Sequence, residues 1–142
     1  MEIRIKKLNE KAIIPTSGSP YSAGYDIYSL EDLEVEAGET VLAKTGLALE
    51  IPEGYFGAVY ARSGLASKKG LRPANCVGVI DSDYRGELII ALHNDSEKTQ
   101  KVVQGDRIAQ LVITPYLSVE FKETEELSET KRQSGGFGST GK

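Results

Sequence analysis

The residues best suited to chemistry lie in one short segment, residues 78–88, where two apolar residues run into an acidic cluster. Asp81 and Asp83 could act in acid–base catalysis, and Tyr84 offers an aromatic face to a ligand. The composition predicts a strand, a tight turn and a returning strand, which together would form a hairpin. Backbone groups at such a tip would be free to meet a ligand. The same residue types are also ordinary in a polar hairpin tip without chemistry.

A second segment, Arg62-Ser63-Gly64, combines residue types that suit a phosphate. Gly64 lets the backbone approach an anion closely, Ser63 can donate a hydrogen bond, and Arg62 adds charge or braces the site. The strand rhythm breaks here, and Ser63 is predicted to cap a short helix that ends at Gly70. We call residues 62–64 the phosphate cradle.

The C-terminal residues 131–142 carry four glycines around a single Phe137. Glycine-rich backbone can approach phosphates, Arg132 can pair with them, and Phe137 can stack on a base. This pattern suggests a lid that becomes ordered on a ligand, and the alternative is a frayed terminus. We therefore expect a core over residues 1–121 and a flexible C-terminal arm over residues 122–142.

Length and composition indicate one soluble globular domain. The chain has 142 residues, of which 39% are hydrophobic and 27% charged, with a net charge of −4. The negative charge argues against a general nucleic-acid or membrane-surface binder. Cys76 is the single cysteine, so no intramolecular disulfide can form. Residues 1–7 lack the apolar core of a signal peptide, and a cytoplasmic protein is expected.

The spacing of apolar residues predicts many short strands. Residues 55–60 and 108–113 are rich in strand-forming types, and residues 33–43 are predicted to form a hairpin around a central glycine. Leu117, Val119 and Phe121 alternate with polar residues and suggest a last strand. Short strands separated by turns, without a long helical period, indicate an all-β sandwich, barrel or jelly roll.

Five separated segments resemble, in order and spacing, the five motifs of the trimeric dUTP pyrophosphatases (dUTPases), from about Ile3 to Thr140. The segments are Ala23-Gly24-Tyr25-Asp26, Arg62-Ser63-Gly64-Leu65-Ala66, residues 78–88, residues 105–111 and residues 132–141. The resemblance implies a single domain with a distorted jelly-roll or β-sandwich-like fold, one short helix and a flexible arm. It also implies a homotrimer whose active sites are shared. Each site would take the first, second and fourth motifs from one chain, the third from a neighbour and the fifth from the remaining chain.

The resemblance implies the hydrolysis of dUTP to dUMP and pyrophosphate with Mg²⁺, which keeps uracil out of DNA and supplies dUMP for thymidylate synthesis. It places Asp81 as the carboxylate that activates water for attack on the α-phosphate. Side-chain chemistry alone does not separate Asp81 from Asp83. Tyr84 would pack on the deoxyribose and leave no room for a 2′-hydroxyl.

The remaining substrate contacts follow from the same resemblance. The uracil pocket is expected to involve Asn75, Gly78, Val79, Ile80 and Ile89. Phosphate contacts are expected from Arg62, Ser63, Gly64 and Gln110. The arm would add Arg132, Ser139 and Thr140 at the γ-phosphate, Phe137 on the uracil ring, and Gly138 as a further substrate-binding residue.

No residue is expected to bind metal directly. Asp26 is expected to hold the site or to meet Mg²⁺ through water, while the triphosphate and waters carry most of the ion's coordination. His93 is interpreted as a loop residue and Cys76 as a packing residue. Residues 105–107 are interpreted as turn and interface scaffolding.

Two alternative functions stay open at this stage. One is a dCTP deaminase or a bifunctional deaminase–dUTPase of the same superfamily, although no clear acid–base glutamate constellation of the deaminase type is visible. The other is a nucleotide-binding regulatory module without turnover, against which an intact Asp81 and an intact arm argue.

Overall fold

The computed structural model describes residues 1–136, which form eleven β-strands and one short helix. The elements are β1 (Arg4–Lys7), β2 (Thr16–Ser17), β3 (Tyr25–Tyr28), β4 (Leu33–Val35), β5 (Thr40–Glu50), β6 (Tyr55–Tyr60), α1 (Ser63–Lys69), β7 (Leu71–Pro73), β8 (Val77–Ile80), β9 (Glu87–Asn94), β10 (Gln100–Val102) and β11 (Arg107–Pro115). This confirms the predicted all-β class with one short helix. No helix in this part of the chain is long and apolar enough to cross a membrane.

Two antiparallel sheets face each other and form a distorted jelly roll. One has four strands in the order β1-β5-β9-β7, and the other has five in the order β2-β3-β11-β6-β8. A two-stranded ribbon, β10-β4, completes the sandwich. The core cluster takes buried side chains from both sheets and from the ribbon. Fully burying an aliphatic side chain of this kind stabilises the fold by about 1.5–3 kcal/mol.

Strand β9 shows how alternating residues in the sequence determine which side chains enter the core of the sandwich. Leu88, Ile90, Leu92 and Asn94 alternate inward and are all 2% exposed or less. Successive side chains of a strand point to opposite faces, so Ile89 points outward and is 40% exposed. An apolar side chain is thus left at the surface beside the acidic segment.

The predicted hairpin at residues 78–88 is wrong. β8 pairs with β6 in the five-stranded sheet, whereas β9 pairs with β5 and β7 in the four-stranded sheet. The tight turn does form, because the Tyr84 N–H donates to the Asp81 carbonyl at 3.2 Å. The chain therefore reverses at this turn but crosses from one sheet to the other.

The predicted hairpin at residues 33–43 is also wrong. β4 pairs with β10, while β5 pairs with β1 and β9. Fully buried Asn94 explains the difference, because its Nδ2 donates to the Val35 carbonyl at 2.9 Å and its backbone N–H donates to the Glu39 carbonyl at 3.0 Å. These bonds hold the end of β4 away from β5.

The chain leaves the sandwich after β11. Residues 116–136 form no helix or strand, so the last strand predicted there is wrong for the single chain. Leu117, Val119 and Phe121 are 87%, 65% and 94% exposed. Their alternation therefore has no counterpart in the packing of this chain.

Candidate active site

A small pocket opens where β8 and β9 separate. It has a volume of about 160 Å³ and is lined by Val79, Ile80, Asp81, Tyr84, Glu87 and Ile89. All of these except Glu87 were predicted site residues. The structure therefore brings together a carboxylate, an aromatic ring and three apolar side chains from the acidic segment and its flanking strands.

Unpaired strand edges border this pocket. Among residues 1–136, β8 is the last strand of its sheet and pairs on one side only, with β6. β7 reaches only Leu92–Asn94 of β9, which leaves the first half of β9 paired with β5 alone. Backbone N–H and C=O groups along these edges need partners, and a ligand can supply them.

The Tyr84 ring has a defined place at the pocket. Its hydroxyl donates to the Glu87 carbonyl at 3.0 Å, and its ring lies so close to Gly86 that a Cβ at Gly86 would collide with it. Arg85 Nη1 donates to the carbonyls of Ser82 at 2.6 Å and Tyr84 at 3.1 Å. The turn that carries Asp81 and Tyr84 is thereby closed on itself.

The phosphate cradle lies at the start of helix α1. The helix ends as predicted at Gly70, which adopts a left-handed conformation with φ 69°. The predicted cap is wrong, because the N-cap residue is Arg62 and its side chain makes no capping hydrogen bond. Arg62 is extended and Ser63 is the first helical residue. The Ser63 hydroxyl is exposed and free of a capping role.

Asp26 joins two arginines at the edge of the cradle. Arg62 Nε donates to Asp26 Oδ1 at 2.6 Å, and Arg107 Nη1 lies 3.3 Å from Oδ2. The Asp26 side chain is only 16% exposed, so these charge-assisted bonds are partly shielded from water. Sequence reasoning missed Arg107, because residues 81 positions apart carry no local signal of contact.

Strand pairing brings Gln110 to the same place. Gln110 lies directly opposite Asp26 on one side and Tyr60 on the other. Its Nε2 donates to the Ala61 carbonyl at 2.8 Å. Gly24 makes room for this side chain, because a Cβ at Gly24 would collide with Gln110 Oε1. Segments from β3, β11 and the end of β6 therefore converge through their register.

The pocket and the cradle of one chain are far apart. The register pairs Tyr60 of β6 with Val77 of β8. Arg62 lies two residues beyond the end of β6 next to this pair, whereas Asp81 directly follows the opposite end of β8. At about 3.3 Å per residue, the two residues are separated by roughly 20 Å along the strands. One chain alone does not place Asp81 beside its own cradle.

A family model described as dUTPase matches residues 10–141, a range that includes the pocket and the cradle. The chain belongs to the dUTPase family. Its resemblance to the five motifs is thus confirmed at the level of the family.

Individual relatives agree with this assignment. The chain is 49% identical over 142 residues to the deoxyuridine 5'-triphosphate nucleotidohydrolase of Nautilia profundicola, with 100% of both chains covered. It is 47% identical to the Arabidopsis thaliana protein of the same name, covering 97% of this chain and 82% of that protein. The structure of the dUTPase of Staphylococcus bacteriophage 80alpha with dUpNHpp has a TM-score of 0.92 and 34% identity, covering 99% of this chain and 98% of that one.

An exposed turn precedes β8 and the third dUTPase motif. Asn75 is exposed, and its Nδ2 would lie 3.3 Å from a Cβ at Gly78. Gly78 is buried against Val59, so the strand backbone approaches closely there. Cys76 is exposed with a positive φ of 61°, and its interpretation as a packing residue is wrong for the single chain. The tight turn places it at the surface.

The fifth dUTPase motif is described only in part. Arg132 is exposed and donates from Nε to the Gly135 carbonyl at 2.8 Å. Phe137, Gly138, Ser139 and Thr140 lie outside the described residues.

A polar brace supports the far end of helix α1. The Asp95 N–H donates to the Gly70 carbonyl at 2.8 Å, and Arg72 binds the Asp95 carboxylate through Nε at 2.6 Å and Nη2 at 3.0 Å. The hydrogen bond from Arg72 holds the pKa of Asp95 below its ordinary value.

His93, interpreted as a loop residue, lies in β9 instead, with Nδ1 2.9 Å from Thr40 Oγ1.

The described residues contain no group of three His, Cys, Asp or Glu side chains placed to hold a metal ion. Both Asp26 oxygens already contact arginine. A carboxylate has about four lone-pair sites, so Asp26 can still accept from a metal-bound water. The donor set thus fits an ion that oxygen atoms of the substrate and water coordinate.

Proposed function

We infer that this dUTPase-family chain hydrolyses dUTP to dUMP and pyrophosphate, which keeps uracil out of DNA and supplies dUMP for thymidylate synthesis. The observation that carries the assignment is the β8–β9 pocket. It combines a carboxylate, an aromatic ring and unpaired strand edges within the region that matches the family. The relatives named above are nucleotidohydrolases of the same substrate.

We propose that Asp81 is the general base. Water that attacks the α-phosphorus must lose a proton as the bond to phosphorus forms, and a positioned carboxylate can accept it. Asp81 lines both the β8–β9 pocket and a neighbouring larger groove of about 910 Å³, whereas Asp83 lines only the groove. This placement supports Asp81 as the residue beside the reacting phosphate. The pyrophosphate then leaves with the electron pair of the broken P–O bond.

The phosphates are proposed to bind the cradle. The available groups are the guanidinium of Arg62, the hydroxyl of Ser63, the open backbone of Gly64 and the amide of Gln110. Strand pairing brings Gln110 next to Asp26, which binds Arg62. The ion pair with Asp26 fixes the direction of Arg62, and the bond to the Ala61 carbonyl fixes Gln110. Donors held in place before the substrate arrives stabilise developing charge without reorganisation.

The nucleoside is proposed to bind between the two strands. Uracil presents an acceptor, a donor and an acceptor along one edge, and free backbone groups can match them. Cytosine reverses part of this pattern and would leave buried groups unpaired, at a cost of about 1–3 kcal/mol each. The apolar pocket residues, together with Asn75 and Gly78, surround the base. Tyr84 packs on the deoxyribose and excludes a 2′-hydroxyl.

We propose that the enzyme is a homotrimer with sites between subunits. The separation of roughly 20 Å between Asp81 and Arg62 supports this, because it exceeds the span of a triphosphate. A neighbouring copy would bring its Asp81 to this chain's cradle. The arm of the remaining chain, over residues 122–142, would close as a lid. Arg132, Ser139 and Thr140 would then lie at the γ-phosphate and Phe137 on uracil, and Gly138 would also contact the substrate.

Mg²⁺ is the proposed cofactor, held mainly by the triphosphate and waters, and Asp26 is the residue placed to meet it through water. When bound, the ion neutralises phosphate charge. The dUTPase of phage phi11 is described with a structural Mg(II) ion. We also propose a cytoplasmic location, because dUTP is an intracellular nucleotide and Cys76 has no cysteine partner in the sequence.

The deciding experiment measures pyrophosphate release with Mg²⁺ from dUTP, dTTP, dCTP and UTP. Selective turnover of dUTP is expected. Ammonia release from dCTP would indicate a deaminase. Tight dUTP binding without pyrophosphate release would indicate a regulatory binding module.

A further inference from the structure

Strand β5 carries a bulge directly behind the pocket. Lys44 pairs with Ile89 and Ala48 pairs with Glu87, so three residues of β5, Thr45–Leu47, face the single residue Leu88. Gly46 adopts a positive φ of 69° within this bulge. Extra residues in a strand bend it and displace its partner locally. The displaced partner here is the start of β9, which forms one wall of the pocket.

Two hydrogen bonds lock the bulge to β9. The Thr45 hydroxyl donates to the Leu88 carbonyl at 2.6 Å, and the Gly46 N–H donates to Glu87 Oε1 at 2.8 Å. Thr45 is only 1% exposed, so its bond is made away from water. The Glu87 carboxylate therefore satisfies a backbone donor that the irregular ladder leaves without a strand partner.

The bulge is itself anchored to the rest of the chain. The Gly46 carbonyl accepts from the Leu8 N–H at 2.7 Å. A Cβ at Gly46 would lie 3.0 Å from the Cβ of Ala12, which is 2% exposed. Glu87 is thus tied to a fixed point of the fold, although it stands at the edge of an open pocket.

The other end of Glu87 holds the tyrosine. The Glu87 carbonyl accepts the Tyr84 hydroxyl at 3.0 Å, and the ring packs against Gly86. A continuous path of contacts therefore leads from the Gly46 bulge through the Glu87 side chain and backbone to the Tyr84 ring.

We propose that Glu87 is a positioning residue that sets the enzyme's discrimination between deoxyribose and ribose. It acts through Tyr84 and does not touch the reacting atoms. The inference depends on the proposed function, because it assumes that Tyr84 faces the sugar. A carboxylate bound to the Gly46 N–H fixes the first residue of β9. That residue's carbonyl fixes the distance of the Tyr84 ring from C2′. Releasing the carboxylate gives the ring freedom to admit a 2′-hydroxyl.

The test compares kcat and KM of Glu87→Ala and Glu87→Gln for dUTP, UTP and dCTP. For Glu87→Ala we expect the kcat/KM ratio of dUTP to UTP to fall about tenfold, the size of one lost hydrogen bond. The dUTP to dCTP ratio should stay within about twofold, because the base contacts differ from the sugar contact. Glu87→Gln keeps an oxygen acceptor for Gly46 and should restore most of the sugar discrimination. If Glu87 only stabilised the fold, Glu87→Ala would lower the melting temperature. The dUTP to UTP and dUTP to dCTP ratios would then both change or both stay the same.

Glu97→Ala is the matched control, since Glu97 is exposed and its replacement removes the same charge. Its two ratios should equal those of the unmodified enzyme. Thr45→Val offers a second approach to the bulge if Glu87→Ala folds poorly, and it should reduce the sugar discrimination in the same direction. Unchanged dUTP to UTP ratios in Glu87→Ala and Thr45→Val would overturn the proposal. Equal losses in Glu87→Ala and Glu87→Gln would also overturn it.

A double-mutant cycle tests the route through the tyrosine. Tyr84→Phe removes the hydroxyl that binds the Glu87 carbonyl, so the variant with both Tyr84→Phe and Glu87→Ala should lose little more sugar discrimination than the more affected single variant. Additive losses would contradict an action through Tyr84. Failure of the proposed function looks different, since the unmodified enzyme would then release no pyrophosphate from dUTP.

Discussion

The phosphate cradle and the β8–β9 pocket are built on opposite principles. Beside the phosphate cradle, β11 pairs on both sides, with β3 and β6, and the Asp26 and Gln110 side chains already have protein partners. In the pocket, pairing stops, and Asp81 and Tyr84 stand beside strand edges with free backbone groups. The first region is aligned by register, and the second is open because two consecutive strands belong to different sheets.

This difference follows from what each region has to bind. Each phosphate carries negative charge on several oxygen atoms, so hydrogen-bond donors that are already fixed in position can stabilise it. Uracil differs from a competing base, and deoxyribose from ribose, by a single group. Unpaired backbone groups and a close steric wall can distinguish such pairs. Changes in the pocket should therefore alter both turnover and selectivity, whereas changes in and beside the phosphate cradle should alter the binding and orientation of the phosphates without altering selectivity.

The largest effect is expected from Asp81→Asn. The amide cannot accept the proton of the attacking water, and we expect kcat to fall at least about 10²–10⁴-fold while dUTP binding is largely retained. Pyrophosphate release and equilibrium binding measure the two quantities. Asp83→Asn is the control and should stay within a few-fold of normal. A near-normal rate for Asp81→Asn would show that another group is the base.

Deletion of residues 135–142 should come next. Without the lid, the triphosphate is less well oriented and more exposed to water, and we expect turnover to fall by about 10²-fold. The melting temperature should hardly change, because the buried core lies in residues 12–111. Full activity of the truncated chain would show that the arm has no part in the reaction.

Gly24→Ala should have a moderate effect on dUTP binding, because Gly24 lies against Gln110 beside the phosphate cradle. Its Cβ would collide with Gln110 Oε1 and push the amide from the Ala61 carbonyl, so we expect KM for dUTP to rise about tenfold with kcat little changed. Gly18→Ala is the control, because its Cβ would meet only Ser22 Oγ at an ordinary 3.8 Å. Equal KM values in the two variants would contradict the role given to Gln110.

The smallest effect is expected from Phe137→Ala. Loss of a ring that stacks on uracil should lower kcat/KM for dUTP in the same direction as the deletion but more mildly, by about fivefold. Steady-state kinetics with dUTP provide the measurement. An effect as large as that of the whole deletion would mean that the ring alone accounts for the lid.

The sequence predicts the residues of the β8–β9 pocket better than it predicts the contacts that surround the phosphate cradle. Val79, Ile80, Asp81, Tyr84 and Ile89 lie within eleven residues of one another, so their meeting needs only a turn. The Arg107–Asp26 contact depends on the antiparallel register of β3 and β11, which local patterns do not encode.

Sheet partners were mispredicted for a related physical reason. A turn signal shows that the chain reverses, but it does not show which strands then pair. Buried Asn94 and the long β5 decide that for β4 and β9. The positioning role of Glu87 could not be predicted, because its side chain binds a bulge on β5 that no sequence pattern indicates.

The central claim is that the pocket of one chain serves the cradle of another, and subunit mixing tests it most directly. Asp81→Asn and Arg62→Ala are each expected to be nearly inactive alone. Unfolding and refolding the two variants together in equal amounts should restore activity, because about one quarter of the shared sites would combine an intact Asp81 with an intact Arg62. Activity no higher than that of the separate variants would contradict the claim and would return both residues to a site within one chain.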